Sequence, residues 1–280
     1  MTFINYKSLT RVNKSRIISI LGCGWLGFPL AQRLIDEGFT VKGSTTSSGK
    51  ISTLQNAGID SYLVQLTPGS ADELADSFFD CDVLFINIPP KGNPEKFVGQ
   101  VKEIHRLIKK KEIKKVIFIS STSVYGEEKR AVTEDDEPTP ETESGKAILI
   151  AERLLTGPDT TVIRFAGLVG PDRHPGRFFG GKTSIPNGNA PVNMIHLDDC
   201  IGIISAVISQ EAFGITFNAC SPDHPSKKEF YTLAAEKGGY AKPEFIDEKL
   251  SWKIVESKNL KPVIDYGFRI RNWNDWLSGL

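Results

Sequence analysis

The stretch Gly22-Cys23-Gly24-Trp25-Leu26-Gly27 places three glycines in the spacing G-x-G-x-x-G. An apolar run, Ile17-Ile18-Ser19-Ile20-Leu21, precedes it, and an amphipathic segment follows it. Between a strand and a helix, the first glycine of this spacing permits a tight turn, the second lets the backbone approach a pyrophosphate, and the third lets the helix pack closely on the strand. The first N–H groups of the helix are then free to bind phosphate oxygens. The stretch therefore predicts a dinucleotide-binding turn, with contacts from Gly22, Gly24, Trp25, Leu26 and Gly27.

The segments around this turn alternate between strand-like and helix-like patterns. Strands are predicted at residues 16–21, 40–44, 61–66, 82–88, 115–121 and 161–165, and helices at 25–37, 49–57, 71–79, 94–111 and 144–155. Glycine and proline mark the boundaries, as expected where a chain turns. Strands that alternate with helices form a parallel sheet with helices on both faces. We therefore predict an α/β fold built on a Rossmann-type doubly wound parallel sheet.

The second half of the chain has a less regular pattern. Residues 167–192 are rich in glycine, proline and arginine. A helix with an aspartate cap is predicted at 198–209, a strand at 216–219 and a helix at 226–237, and the residues after 240 are irregular and aromatic. We therefore predict an N-terminal tail at 1–15 and an NAD(P)-binding Rossmann domain at 16–166. Residues 167–280 are expected to interleave sheet completion with a small C-terminal α/β substrate lobe.

Composition narrows the class of partner. Lysine plus arginine number 34, as do aspartate plus glutamate, so no net charge attracts nucleic acid or an anionic membrane. The cysteines are widely spaced and form no C-x-x-C pair, which argues against a disulfide framework and a metal site. The apolar run before Gly22 is shorter than the roughly 7 to 15 residues of a signal peptide. We therefore expect a cytoplasmic protein that acts on a small-molecule substrate, with no nucleic acid, membrane or metal.

The end of the second predicted strand bears on the choice of dinucleotide. An NAD site usually places an acid there to bond both ribose hydroxyls, and this chain has none. Residues 42–50 offer hydroxyls, backbone amides and lysine, a set that suits the 2′-phosphate of NADP. The alternative is that these serines and threonines only form a turn and cap the next helix. We favour NADP, with contacts from Ser44, Thr45 and Thr46, and from Ile88, Pro89 and Pro90 after the fourth strand.

Four further segments follow in a recognisable order. They are Ile119–Gly126 (ISSTSVYG), Ile163–Pro171 (IRFAGLVGP), Asn193–Asp199 (NMIHLDD) and Tyr266–Phe268 (YGF). Together with the glycine turn, they resemble the extended branch of the short-chain dehydrogenase/reductase superfamily. That branch includes nucleotide-sugar epimerases and dehydratases, so the resemblance implies a dinucleotide cofactor and a substrate held against the C-terminal lobe.

The resemblance also implies roles for single residues. Ser121 matches the Ser or Thr that polarises the substrate oxygen, and Ser120 beside it is expected to contact the cofactor. Tyr125 either takes over proton transfer or only packs the loop. Arg173 and Arg177 lie in the expected substrate lobe, where they bind an anionic substrate or merely solvate a loop.

Three residues of the later motifs have structural alternatives. His196 lies in the family's I-H-x-x-D motif and is a candidate for substrate binding, although a lone histidine is more often a hydrogen-bonded structural group. Arg164 is expected to form an ion pair near the end of the sheet. Asp199 is expected to cap its helix.

The usual proton-handling pair is missing from the predicted helix at 144–155. Catalytic members carry a tyrosine there and a lysine four residues later, which lowers the pKa of the tyrosine and holds the nicotinamide ribose. One register places Thr142 and Lys146 at these positions. The other places Ser144 and Ile148, and we prefer it because it also matches the family's glycine, leucine and glutamate. Ser144 and Lys146 remain candidate catalytic groups by proximity, as in atypical members that keep the glycine turn without the usual active-site residues.

Two functions of different class follow from these patterns. The first is an atypical NADP-dependent oxidoreductase or epimerase-like enzyme on a small carbonyl or sugar-like substrate. The second is a catalytically silent NADP-binding sensor or regulatory protein, which the missing pair favours. A redox-neutral isomerase that keeps NADP bound is a third, weaker hypothesis.

Overall fold

The computed structural model of the chain describes residues 16–66, 76–90 and 92–280. The predicted tail at 1–15 and most of the predicted helix at 71–79 lie outside these residues. The end of that segment, Ser77–Phe79, forms a single 3-10 turn.

A seven-stranded sheet forms the centre of the molecule, in the order β10-β7-β5-β4-β1-β2-β3, and every neighbouring pair is parallel. The strand order reverses between β1 and β4, so the carboxyl end of β1 opens into a crevice between two diverging connections. This sheet confirms the predicted α/β fold. Its strands are β1 (Ile17–Leu21), β2 (Thr40–Thr45), β3 (Asp60–Leu63), β4 (Val83–Ile86), β5 (Lys115–Ser121), β7 (Thr160–Phe165) and β10 (Thr216–Ala219).

Two short parallel pairs lie outside the main sheet. They join β6 (Ala131–Val132) to β11 (Ile254–Val255) and β8 (Gly167–Val169) to β9 (Met194–His196). The β8–β9 pair immediately follows β7, so it brings the less regular second half of the chain to the carboxyl edge of the sheet.

Helices cover the sheet on its two faces. The helix Gly27–Asp36 contacts the helix Leu197–Ser209, and the helix Pro94–Lys110 contacts the helix Glu143–Leu155. The helices of the described residues are α1 (Gly27–Asp36), α2 (Ile51–Asn56), α3 (Pro94–Lys110), α4 (Glu143–Leu155), α5 (Gly176–Phe179), α6 (Leu197–Ser209), α7 (Lys227–Lys237), α8 (Leu260–Ile264) and α9 (Trp273–Ser278).

The prediction of an aspartate cap on α6 was wrong. The cap is His196, whose Nδ1 accepts a hydrogen bond from the Asp198 amide at 3.2 Å. Asp199 is fully buried, and its carboxylate accepts hydrogen bonds from the Tyr266 hydroxyl and from the amides of Arg269 and Ile270. The carboxylate therefore ties the C-terminal segment to α6 rather than satisfying the helix end.

The apolar interior has two parts. The larger contains the strands of the sheet, and all four side chains of β4 are completely buried in it, as expected for a strand with helices on both faces. The smaller belongs to the second half of the chain. It contains Val169, Val192, Met194, Phe230, Tyr231, Ala234, Trp273 and Leu277.

None of the helices in the described part of the chain is both long and apolar enough to cross a bilayer.

Candidate functional site

The glycine turn has the geometry that its spacing predicts. Gly22 has a φ of +108°, and a Cβ there would lie 2.6 Å from the Asn87 carbonyl oxygen. A Cβ on Gly27 would collide with the Gly22 carbonyl oxygen, so this glycine allows α1 to pack on the turn. Around Gly24, by contrast, no atom lies within 4 Å of an added Cβ. The turn is therefore crowded on its inner side and open at Gly24, where a phosphate could approach the backbone.

A cavity of about 680 Å³ begins at this turn. No side chain of the described residues caps the amide groups at the start of α1, so these groups are available to a ligand. Most of the predicted cofactor contacts line the cavity. Its lining residues are Leu21, Gly22, Cys23, Gly24, Trp25, Leu26, Ser44, Thr45, Thr46, Lys50, Val64, Leu66, Asn87, Ile88, Pro89, Gln100, Leu168 and Arg173.

Three predicted cofactor residues do not line this cavity. Gly27 lies beneath the turn, and Pro90 follows the lining residue Pro89. The Ser120 hydroxyl is buried and donates a hydrogen bond to Glu152. Ser120 therefore stabilises the packing of α4 on β5, and its side chain is not available to a dinucleotide.

The end of β2 provides the polar side of the cavity. The Ser44 hydroxyl accepts a hydrogen bond from the Gly22 amide at 2.9 Å, and the Thr45 hydroxyl accepts one from the Ser47 amide at 3.1 Å. The Thr45 bond forms a turn, as the alternative interpretation of this segment expected, but no described side chain caps the helix that follows. Thr46 and Lys50 are exposed, and Lys50 forms no ion pair with the described residues. No acidic side chain appears in the lining of the first cavity, as far as the described residues define it.

A second cavity, of about 690 Å³, lies between the end of β5 and the C-terminal half of the chain. Leu168 lines both cavities, so they adjoin at β8. The lining residues of the second cavity are Ser121, Thr122, Ser123, Glu127, Ala166, Gly167, Leu168, Phe178, Phe179, Lys182, Ala190, Pro191, Val192, Asn193, Met194, Lys227, Tyr231, Ser251, Trp252 and Lys253.

The second cavity combines cations with aromatic rings. Lys253 is paired with Glu127 at 2.7 Å, whereas Lys182 and Lys227 form no ion pair with described residues. Partial burial lowers the pKa of Lys227. A negatively charged group on a ligand would relieve the cost of burying this ammonium.

Tyr231 supplies a phenol to the second cavity. It is 9 % exposed, its hydroxyl forms no hydrogen bond with a described residue, and burial raises its pKa. Its ring packs against Phe179 with centroids 4.6 Å apart. It is the one tyrosine of the described chain that lines either cavity.

Ser121 is the last residue of β5 and begins the turn that follows this strand. Its hydroxyl accepts a hydrogen bond from the Ser123 amide at 3.1 Å and so starts the 3-10 turn at Thr122–Val124. The hydroxyl proton is not used by that bond, so it remains available to a ligand in the cavity. Of the four predicted catalytic residues, Ser121 alone lines a cavity.

The start of α4 does not reach either cavity. Ser144 is exposed, and its hydroxyl lies 3.3 Å from that of Thr142, which caps the helix. Lys146 is also exposed and is paired with Glu143 at 2.7 Å. Ile148, the residue at the lysine position in the preferred register, is buried. Among the described residues, therefore, no side chain of α4 lines either cavity or hydrogen-bonds to the Ser121 hydroxyl.

Tyr125 belongs to a buried polar network behind β5. Its hydroxyl lies 2.9 Å from the Thr133 carbonyl oxygen and 2.9 Å from Asn218 Oδ1, and it donates its proton to one of these two atoms. The hydroxyl oxygen accepts a hydrogen bond from Arg164 at 2.6 Å. Arg164 is in turn paired with Glu152 at 2.7 Å. In this network both side chains have structural contacts: Arg164 forms the ion pair expected near the end of the sheet, and Tyr125 lines neither cavity.

The spacing of a tyrosine four residues before a lysine does occur once, at Tyr125 and Lys129, in a segment that the sequence interpretation did not consider. This segment is not a helix. Tyr125 is extended, Lys129 has a φ of +53°, and the Lys129 amide donates to the Trp252 carbonyl oxygen at 2.9 Å. The two side chains therefore do not form the pair that the superfamily places on α4.

The three predicted substrate residues lie in different places. Arg173 lines the first cavity rather than the second. Arg177 is exposed and donates to the Asp172 carbonyl oxygen at 3.2 Å, outside both cavities. His196 is buried as the cap of α6, its ring lies 5.2 Å from that of Trp276, and burial lowers its pKa.

Sequence interpretation missed the lobe side of the second cavity. Three separate segments supply this side, and none matches a motif: they contribute Lys182, Trp252 and the α7 residues Lys227 and Tyr231. One signal was present, since Lys227 and Tyr231 are four residues apart and thus share a face of α7. Their approach to Ser121 depends on long-range packing, which no local pattern encodes.

The open backbone at Gly24, the free start of α1 and the polar end of β2 together fit a dinucleotide. A sequence model of a family described as NAD(P)H-binding matches residues 22–191. The chain is also similar to Protein YeeZ of Escherichia coli K12, with 38% identity over 237 residues that cover 81% of this chain and 86% of YeeZ. The chain therefore belongs to the NAD(P)H-binding family, as its resemblance to the short-chain dehydrogenase/reductase superfamily predicted.

Solved structures show the same fold at low sequence identity. UDP-glucuronic acid 4-epimerase from Bacillus cereus, in complex with UDP-glucuronic acid and NAD, has a TM-score of 0.77 and 19% identity, covering 94% of this chain and 96% of the epimerase. UDP-glucose 4-epimerase from Thermotoga maritima, with UDP-glucose, has a TM-score of 0.75 and 17% identity, covering 94% and 97%. These likenesses establish the architecture and leave the reaction to the residues of this chain.

Proposed function

We propose that the protein is an NADP-dependent oxidoreductase or epimerase-like enzyme that acts on a small carbonyl or sugar-like substrate. The observation that carries this proposal is the meeting of two cavities at Leu168. One begins at the glycine turn, and the other contains the Ser121 hydroxyl. A dinucleotide and a carbonyl compound bound in the two cavities would be neighbours.

The preference for NADP rests on the lining of the first cavity. Lys50 and Thr46 are exposed at the end of β2, and the described lining offers no carboxylate to bond ribose hydroxyls. An ammonium near the ribose favours a 2′-phosphate. The dissociation constants of NADPH and NADH, measured by calorimetry, test this preference. Tighter binding of NADH by the unmodified protein would remove it.

A Lys50→Gln variant makes the test specific. It should weaken NADPH binding about tenfold, which corresponds to about 1.4 kcal/mol, and leave NADH binding unchanged. Lys102→Gln is a matched control, because Lys102 is exposed on α3 and does not line the first cavity. Equal losses with both dinucleotides in Lys50→Gln would contradict a contact with the 2′-phosphate.

The bound dinucleotide would supply hydride transfer at the junction of the cavities. The Ser121 hydroxyl would donate a hydrogen bond to the substrate oxygen. Tyr231 is the phenol that lines the second cavity, and a phenol is protonated at neutral pH, so it would donate a proton rather than accept one; burial, which raises its pKa, makes it a weaker acid than a free tyrosine. Lys182 and Lys227 would orient an anionic group of the substrate, since neither forms an ion pair with a described acid.

Turnover provides the test of this proposal. NADPH oxidation should be detectable by absorbance with at least one member of a panel of aldehydes, ketones and nucleotide sugars, and Ser121→Ala should lower its kcat. Tight NADPH binding with no turnover on any member, and no effect of Ser121→Ala, would contradict it.

A silent NADP-binding sensor is the second candidate function. It is favoured by the start of α4, where Ser144 is exposed and Ile148 is buried, so neither usual proton-handling group is present. Its positive test is a protein partner whose affinity for this chain changes when NADPH is added. The apolar core of the C-terminal half and the two adjoining cavities favour the enzyme hypothesis over this alternative.

We also propose that the protein works in the cytoplasm. The four cysteines are free, and burial raises the pKa of the Cys23 thiol to about 12 and that of Cys81 to about 11. Unpaired thiols suit a reducing compartment.

A further inference from the structure

Arg173 was expected to bind substrate, but its guanidinium lies over the glycine turn. The carbon at the centre of the guanidinium is 4.7 Å from the ring centroid of Trp25, which is part of that turn. An arginine at this distance from an indole is attracted to the ring face and is held in place by it. The side chain is therefore positioned at the mouth of the first cavity rather than in the lobe.

A second contact fixes the same segment. The Trp25 Nε1–H donates a hydrogen bond to the Pro171 carbonyl oxygen at 2.7 Å. Between Pro171 and Arg173 the chain turns tightly, since the Arg173 amide donates to the Gly170 carbonyl oxygen at 3.0 Å. The turn at 170–173 thus docks on Trp25 through both its backbone and its arginine.

The turn has little room to shift. Gly170 has a φ of +146°, and a Cβ there would lie 3.0 Å from Leu197 Cβ and 3.4 Å from the Trp25 ring. The segment is therefore confined between the glycine turn and the start of α6.

The lining of the first cavity also carries positive charge. Lys50 and Arg173 are the two cationic residues in the lining of the first cavity, and neither forms an ion pair with described residues. Lys50 ends the 3-10 turn that follows β2, and the Arg173 guanidinium lies over the ring of Trp25, the residue after the open backbone of Gly24. A planar guanidinium matches the oxygens of a phosphate in a bidentate geometry.

We propose that Arg173 binds the pyrophosphate of the dinucleotide from the lobe side, opposite the backbone amides of the glycine turn, with Trp25 holding its guanidinium in place. This inference rests on the proposed binding of a dinucleotide in the first cavity, and it assigns Arg173 to the cofactor instead of the substrate. It also makes the turn at 170–173 the part of the lobe that contacts the cofactor.

The pyrophosphate is common to NADPH and NADH, and this fact separates Arg173 from Lys50 experimentally. Calorimetric titration of Arg173→Gln with each dinucleotide should show both dissociation constants raised by a similar factor, about 10- to 100-fold. Arg173→Lys should recover part of the loss, because an ammonium keeps the charge without the bidentate geometry. Arg33→Gln is the control, because this substitution removes the same charge at an exposed residue of α1 that is paired with Glu37.

Each outcome is decisive. Unchanged constants in Arg173→Gln, with a melting temperature like that of the unmodified protein, would overturn the inference. A loss confined to NADPH would also overturn it, because Arg173 would then recognise the 2′-phosphate. If the unmodified protein preferred NADH, the NADP proposal would fail while an equal loss in Arg173→Gln would still support this one. Absence of binding of either dinucleotide to the unmodified protein would contradict both.

Discussion

Arg164 and Glu152 form a buried ion pair with two hydrogen bonds, from Nε at 3.0 Å and from a terminal guanidinium nitrogen at 2.7 Å. Both side chains are almost fully buried, and Glu152 also accepts the Ser120 hydroxyl proton. The pair joins α4 to β7, and through Ser120 it reaches β5, the strand that carries Ser121. It therefore holds the scaffold beneath the second cavity.

Breaking this pair should cost much of the stability of the fold. Glu152→Gln leaves the Arg164 charge buried without its partner, which typically costs about 3 kcal/mol or more. Urea unfolding followed by circular dichroism measures the loss. Glu137→Gln is the control, because the Arg153–Glu137 pair is exposed and contributes little. Similar losses in the two variants would show that burial of the pair is not what makes it important.

The glycine turn allows folding and binding to be separated. Gly24→Ala should leave the melting temperature nearly unchanged, since an added Cβ meets no atom within 4 Å, but it should weaken NADPH binding by occupying the space a phosphate would use. Gly27→Ala should instead destabilise the fold by about 2 kcal/mol or more, because its Cβ would collide with the Gly22 carbonyl oxygen. Calorimetry and thermal melting measure the two effects. A destabilised Gly24→Ala protein would argue against an open phosphate site at this position.

His196 should make stability depend on pH. Burial lowers its pKa, against the opposing influence of Asp198 and Asp199 and together with the repulsion of Arg269. The unfolded state then binds a proton more readily than the folded state, so stability is full above the ordinary histidine pKa of about 6.5 and is lost as pH falls below it.

His196→Asn isolates this contribution, because asparagine also caps helices and does not titrate. Urea midpoints at pH 7.5 and pH 5.5 should differ less in the variant than in the unmodified protein. His105 and His174 also have lowered pKa values, so some dependence on pH should remain. An unchanged difference between the two midpoints would exclude His196 as a source.

Tyr231 should matter for turnover more than for binding of the dinucleotide. Tyr231→Phe removes the hydroxyl and keeps the ring that packs on Phe179, so kcat should fall about 100-fold, the lower range for a general acid, with NADPH affinity unchanged. Tyr240→Phe is the control, since Tyr240 lines neither cavity. Equal kcat values in Tyr231→Phe and the unmodified enzyme would leave proton donation to another group.

Local sterics made the glycine turn and the sheet predictable. Gly22 and Gly27 are required by backbone contacts within a few residues or across one neighbouring strand, and β1, β4 and β5 are marked by apolar runs. The predicted cap of α6 was wrong because histidine can accept the same hydrogen bond as aspartate, whereas the statistical preferences for helix caps favour aspartate.

Long-range contacts were beyond the reach of the sequence patterns. Trp25 and Pro171 are joined by one hydrogen bond, but they are 146 positions apart in the sequence. Arg173 was accordingly placed with the substrate, since its segment belongs to the lobe. Tertiary packing likewise brings Lys182 and Tyr231 into the same cavity as Ser121. The sequence patterns therefore did not indicate which residues line the second cavity.

Leu168 lies between the two cavities, and the turn at 170–173 that docks on Trp25 begins two residues later. A ligand that displaces β8 in the second cavity must therefore also change the surroundings of a dinucleotide in the first. By thermodynamic reciprocity, whatever factor one ligand imposes on the affinity of the other is returned in equal measure. The coupling between the two affinities would then run through a single short strand, Gly167–Val169.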